Sequence, residues 1–90
     1  MVKGRPIDKL DYKHMMSMIL YLKYNAPCRR TNIYHDVSNC YSSPTKISSL
    51  IDMGFVEEMG DSFLKLTDSG LVLAGHLEEI ESLLDMESNI

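Results

Sequence analysis

The chain lacks most of what would mark an enzyme, a secreted protein or a membrane protein. It has no glycine-rich phosphate loop: Gly54, Gly60 and Gly70 punctuate elements and do not form GxGxxG. No Ser/His/Asp constellation can be built from histidines as far apart as His14, His35 and His76. The opening stretch, MVKGRPIDKLDYKH, contains no apolar core, so no signal peptide is expected. No apolar run approaches the roughly 18 residues that a membrane span needs. The expected location is therefore the cytoplasm, with no membrane partner. Cys28 and Cys40 form no CxxC pair. A reduced pair suits that compartment, and a disulfide between them is the alternative. Cys28, His35 and Cys40 match no standard zinc spacing and lack a fourth ligand, so neither a metal nor another cofactor is expected. There is no internal repeat.

Positive charge is also missing from one end. Residues 67 to 90 hold six acids and no Lys or Arg, whereas residues 1 to 30 hold seven Lys or Arg against two Asp. The net charge of -4 thus hides a basic first third and an acidic last quarter. The overall balance argues against a nucleic-acid partner, and the asymmetry partly restores the case. The two ends could equally attract each other, within one chain or between two. Ninety residues, 44% of them apolar and 24% charged, suit one globular domain with a single modest core.

The most informative stretch is Ser42 to Gly70, SSPTKISSLIDMGFVEEMGDSFLKLTDSG. Ser43 can cap a helix and Pro44 suits its first position. Ile47, Leu50 and Ile51 recur at helical spacing, and Gly54 stops the helix. Phe55 to Met59 reads as a strand, Gly60-Asp61 as a turn and Ser62 to Leu66 as the returning strand. Thr67 can cap a last helix, with Asp68 in its first turn.

Two motifs in this stretch carry a resemblance. Ile47-Ser48-Ser49-Leu50-Ile51-Asp52-Met53-Gly54-Phe55-Val56-Glu57 resembles the xxLxxxGLVE stretch of small archaeal and other prokaryotic winged helix-turn-helix transcriptional regulators. Phe63-Leu64-Lys65-Leu66-Thr67-Asp68-Ser69-Gly70 is similar to the YxLTxxG that closes their wing and opens the last helix. With the helices on either side, the resemblance spans roughly residues 8 to 87. It implies a DNA-binding regulator, although the same fold also serves protein-protein contacts.

Taken in order, residues 1 to 7 form a basic lead, either a frayed end or an arm for phosphates. Asp8 can cap a first helix running to about Asn25, with Tyr12, Met15, Met16, Ile19 and Leu22 (or Leu20 beside it) as its apolar stripe. Pro27 ends it. Thr31 is the expected cap of a short second helix whose inward residues are Ile33, Tyr34 and Val37. In the resembling regulators this is the first helix of the helix-turn-helix, which places Arg29 and Arg30 beside a phosphate. The other reading is two solvated arginines. Ser38 to Ser42 is the turn, and Tyr41 is expected to pack inward. The third helix then turns Ile47, Leu50 and Ile51 to the core and Thr45, Ser48, Ser49 and Asp52 outward, with Lys46 on the flank. The hairpin departs from the family pattern, because Glu57, Glu58 and Asp61 lie near its tip and Lys65 is its only basic residue. In the last helix Leu73, Leu77, Ile80 and Leu84 form a seam. Either a second copy covers it or it lies back along the first helix.

The expectation is a mainly α fold with a small β-hairpin: one winged helix-turn-helix domain with a long C-terminal helix. Residues 1-7 are the lead, 8-66 the core and 67-90 the dimerisation helix. The expected function is that of a homodimeric regulator on double-stranded DNA, with a protein-interaction module as the alternative. Thr45, Lys46, Ser48 and Ser49 would face the groove, and Arg29, Arg30 and Lys65 would take phosphates. Leu73, Leu77, Ile80 and Leu84 would form the dimer interface. No effector pocket can be read from the sequence.

Overall fold

The computed structural model describes residues 5–37 and 41–88, with the side chains of 87 and 88 excepted. It is mainly helical, with a small three-stranded antiparallel sheet and a long C-terminal helix. Among the described residues no helix is long and apolar enough to cross a membrane.

The expected first helix is broken in two. Pro6–Leu10 is a separate 3-10 turn, closed where the Arg5 N–H donates to the Asp8 carboxylate at 3.1 Å. Asp8 therefore stabilises this turn and does not cap the helix. His14 adopts a left-handed φ of 69°, and α1 (Met15–Asn25) begins after it. That kink takes Tyr12 out of the apolar stripe and leaves it exposed, while Leu10 is buried below. Within α1 the buried residues are Met15, Met18, Ile19 and Leu22, spaced i, i+3, i+4 and i+7. Met16, expected among them, is exposed.

A short strand follows Pro27. β1 (Cys28–Arg29) pairs antiparallel with the later strand β3 (Phe63–Leu66), with Cys28 opposite Leu64 and Arg29 opposite Phe63. The Cys28 side chain is buried there, and that burial raises its thiol pKa. Its pairing with Cys40 lies outside the described residues. α2 (Arg30–Asp36) starts two residues earlier than expected, with Arg29 and not Thr31 at the cap position. Asn32 Oδ1 accepts the Arg29 N–H at 3.0 Å, so the cap contact comes from Asn32 and not from Thr31. Ile33 anchors α2 in the core.

α3 (Ser43–Asp52) buries Ser43, Ile47 and Leu50. Ser42 occupies the cap position expected for Ser43, and Pro44 is the second helical residue. Gly54 ends the helix with a φ of 86°. Its N–H bonds the Ile51 carbonyl at 3.0 Å, and the Phe55 N–H bonds the Leu50 carbonyl at 3.1 Å. This pair of bonds is a Schellman cap, which needs a left-handed residue at the Gly54 position.

β2 (Val56–Glu58) and β3 (Phe63–Leu66) form the hairpin, with Val56 opposite Leu66 and Glu57 opposite Lys65. The sheet order is β1-β3-β2. Asp61 and Ser62 make the turn with φ values of 64° and 65°. α4 (Asp68–Ser88) begins at a shared joint. Thr67 Oγ1 accepts the Gly70 N–H at 3.1 Å and donates to the Gly54 carbonyl at 2.5 Å. The Thr67 N–H also bonds the Phe55 carbonyl at 3.0 Å. The end of α3 and the start of α4 are thereby clasped together. The core gathers under this clasp from α1, β3, Ile33, Leu50, Ala74 and Leu77.

Candidate nucleic-acid interface

α3 divides its residues cleanly. Ile47 and Leu50 are buried, while Pro44, Thr45, Ser48 and Asp52 are exposed. The hydroxyls of Thr45 and Ser48 stand outward as the spacing predicts, and Ser49 is half-buried at the edge.

Lys46 does not belong to this outward face. Only 9% of it is exposed, and its Nζ donates to the Lys13 carbonyl at 2.5 Å. The segment before α1 passes beside α3 and covers it. Ser43, Lys46 and Leu50 fall at i, i+3 and i+7, so the buried stripe is wider than Ile47 and Leu50 alone suggest. That spacing was the available sequence signal. A lysine's aliphatic stem tolerates such burial when its ammonium finds an acceptor.

The arginines at the start of α2 are fixed by the sheet. The Arg29 guanidinium lies 4.9 Å from the centre of the Phe63 ring, a cation–π contact that holds an exposed charge in place. Arg30 is half-buried as the first residue of α2. Lys65 stands across the hairpin from Glu57, with 4.0 Å between charged atoms. Glu57, Glu58 and Asp61 are all exposed, so the outer hairpin is acidic. Tyr41, expected to pack inward, is fully exposed just before α3.

One cluster had not been anticipated. The Tyr21 hydroxyl donates to Asp36 Oδ2 at 2.5 Å, and His35 Nδ1 lies 2.7 Å from Asp36 Oδ1. This links the middle of α1 to the end of α2 and helps set the angle at which α2 presents its arginines. The bond to Asp36 pushes the Tyr21 pKa up to about 12. In return the Tyr21 hydroxyl, followed by His35, holds the Asp36 carboxyl below its ordinary range. Tyr21 and Asp36 are far apart in sequence, so no local spacing could have announced them.

The expected dimer seam is split. Leu77 is 6% exposed and belongs to the domain's own core, and Leu73 packs against that core. These two residues are taken by the fold itself. Further along α4, Ile80 is 48% exposed and Leu83 and Leu84 are each 63% exposed. Their i, i+3, i+4 spacing puts the three on one side of the helix. Among the described residues no group of three His, Cys, Asp or Glu side chains could hold a metal ion.

No protein-family model matches the chain, and no curated protein or solved structure is detectably similar to it. Function therefore has to come from the side chains themselves.

Proposed function

We propose that the chain is a winged-helix DNA-binding transcriptional regulator that works as a homodimer. The order helix, short strand, two helices, hairpin, helix supports this reading, as does the sheet order β1-β3-β2. The observation that carries it is α3. One face is locked into the core by Ile47 and Leu50, and the opposite face presents Thr45 and Ser48 to solvent. A helix held this way enters a major groove as a rigid body, with hydroxyls that can reach base edges or phosphates. Arg29, Arg30 and Lys65 supply the phosphate contacts, and the distal side of α4, with Ile80, Leu83 and Leu84, joins the two copies.

The test is titration with mixed-sequence duplex DNA at about 50 and 200 mM salt. Affinity is expected to fall steeply with salt, by about 0.9 in the log-log slope per phosphate contact. The double variant Arg29→Ala/Arg30→Ala should bind weakly and with a shallower slope. Thr45→Ala/Ser48→Ala should lower the preference for one sequence over another. Absence of salt-sensitive binding at the lower salt, from folded protein, rejects the reading.

A second reading has its own support. The Lys46 ammonium is turned into the protein and the hairpin tip is acidic. An acidic tip beside phosphates would lower affinity. The same two facts suit a protein-interaction module with a basic partner, which becomes the preferred reading if the titration fails.

A further inference from the structure

The buried lysine points to a ligand site. Where the segment before α1 passes α3, it leaves a groove of about 450 Å³. Tyr12, Met15 and Met53 form its apolar wall. Its size is within the usual range for small-molecule sites, about 300–1,000 Å³. A second hollow, lined by Pro6, Ile7 and Phe55 among others, shares Lys9, Asp52 and Met53 with it.

Three charged side chains line the groove: Lys9, Lys46 and Asp52. Lys46 is the unusual one. An ammonium carries three N–H donors. That of Lys46 donates to one acceptor among the described residues, the neutral backbone carbonyl of Lys13, and has no ion-pair partner among them. A cation nine-tenths buried without a counter-charge is costly, and an anion in the groove would offset that cost. Lys9 is exposed at the rim and adds a second positive charge, while Asp52, also exposed, removes one. The lining thus sums to +1. One negative charge neutralises it, a second would be in excess, and a cation would be repelled.

We propose that this groove binds a small amphipathic monoanion, a carboxylate with an apolar body. The body lies on Tyr12, Met15 and Met53. The head group takes the remaining donors of Lys46, with Lys9 beside it. This inference stands apart from the DNA reading, because binding is measured on the protein alone.

The probes are 3-phenylpropionate and its neutral analogue 3-phenylpropionamide, each titrated into the ¹⁵N-labelled full chain. Amide shifts are expected at Tyr12, Ser49 and Met53. The carboxylate should bind about tenfold more tightly than the amide, the gain typical of one charge-assisted hydrogen bond. Lys46→Met keeps the stem and removes the ammonium, so the carboxylate preference should fall to about twofold or less, the share left to Lys9. Because Lys46 also holds the Lys13 carbonyl, Lys9→Gln is the second variant. It should weaken the carboxylate about twofold and leave the amide unchanged. Equal affinities in the original protein overturn the proposal, as do shifts confined to other surfaces. So does the absence of binding up to about 10 mM, well above the millimolar range of weak ligands. A carboxylate preference that stays near tenfold in folded Lys46→Met protein also overturns it, by placing the anion elsewhere.

Discussion

The two halves of α4 have the same leucine-rich spacing and opposite surroundings. From Asp68 to Leu77 the helix lies on β3 and α1, and Gly70, Ala74 and Leu77 are buried. From Ile80 onward the large apolar residues are largely exposed, Met86 at 66%. The boundary is marked by an ion pair between Lys23 of α1 and Glu78. Beyond that point the helix has outrun the rest of the domain. Helical periodicity says which side of a helix is apolar. What covers that side is decided by the length of the neighbouring elements.

The largest expected effect lies within the packed half, whose two glycines have opposite surroundings. A Cβ at Gly70 would sit 2.0 Å from the Phe55 carbonyl oxygen, inside the clasp between α3 and α4. Backbone cannot yield there as a flexible side chain would. Gly70→Ala should cost about 3 kcal/mol or more, read as a lower urea midpoint. A Cβ at Gly75, five residues later, meets nothing within 4 Å. Gly75→Ala should therefore raise stability by about 0.5–1 kcal/mol, since helical glycine costs backbone entropy. If both substitutions behave alike, the clasp is not as tight as described.

The leucines give the next largest contrast. Leu77→Ala removes a core side chain and should cost about 2–4 kcal/mol. Leu83→Ala, on the exposed half, should leave monomer stability within about 0.5 kcal/mol. Ile80→Glu/Leu83→Glu sharpens the comparison, because it places charge where a second copy is proposed to pack. In sedimentation the double variant should be a folded monomer while the original chain is a dimer. Two monomers would remove the dimer from the proposed function, and two dimers would reject Ile80 and Leu83 as its interface, with the fold intact in either case.

The part of the molecule most legible in the sequence is the joint between those motifs. The cap at Gly54 and the start at Thr67 are each written in a window of a few residues, because a left-handed glycine and a threonine cap are local chemistry. That the two windows touch, through Thr67, Gly54 and Phe55, follows only from the fold. Features made by distant partners were not legible. β1 is a strand only because β3 pairs with it. Lys46 is buried by a segment far before it in sequence, which moved it from the candidate interface to the floor of a groove. The break at His14 hid behind an apolar spacing that runs on through Tyr12 and Met16. The outward positions of Thr45 and Ser48 were legible, because the opposite face of α3 carries its own hydrophobic signal.

The smallest expected effect tests how α2 is held. Tyr21→Phe removes the hydroxyl that donates to Asp36 and leaves the ring in place. Both partners are solvent-accessible, so only a small loss of stability is expected, centred on neutral pH where both ends of the bond contribute. The signs at the extremes are opposite. A carboxyl held low, as in Asp36, stabilises the fold above its ordinary value near 3.9, and that contribution is lost as pH falls through the lower folded value. A phenol raised to about 12, as in Tyr21, stabilises the fold below 10, and that contribution is lost as pH rises through about 12. Tyr21→Phe should flatten both ends of the stability profile. In a carboxyl ¹³C titration the Asp36 value should rise, though not fully, because the His35 contact remains. The late tyrosinate absorbance near pH 12 should disappear. If Asp36 titrates unchanged in the variant, the bond is not formed in solution, and α2 is held to α1 by Ile33 and its apolar neighbours alone.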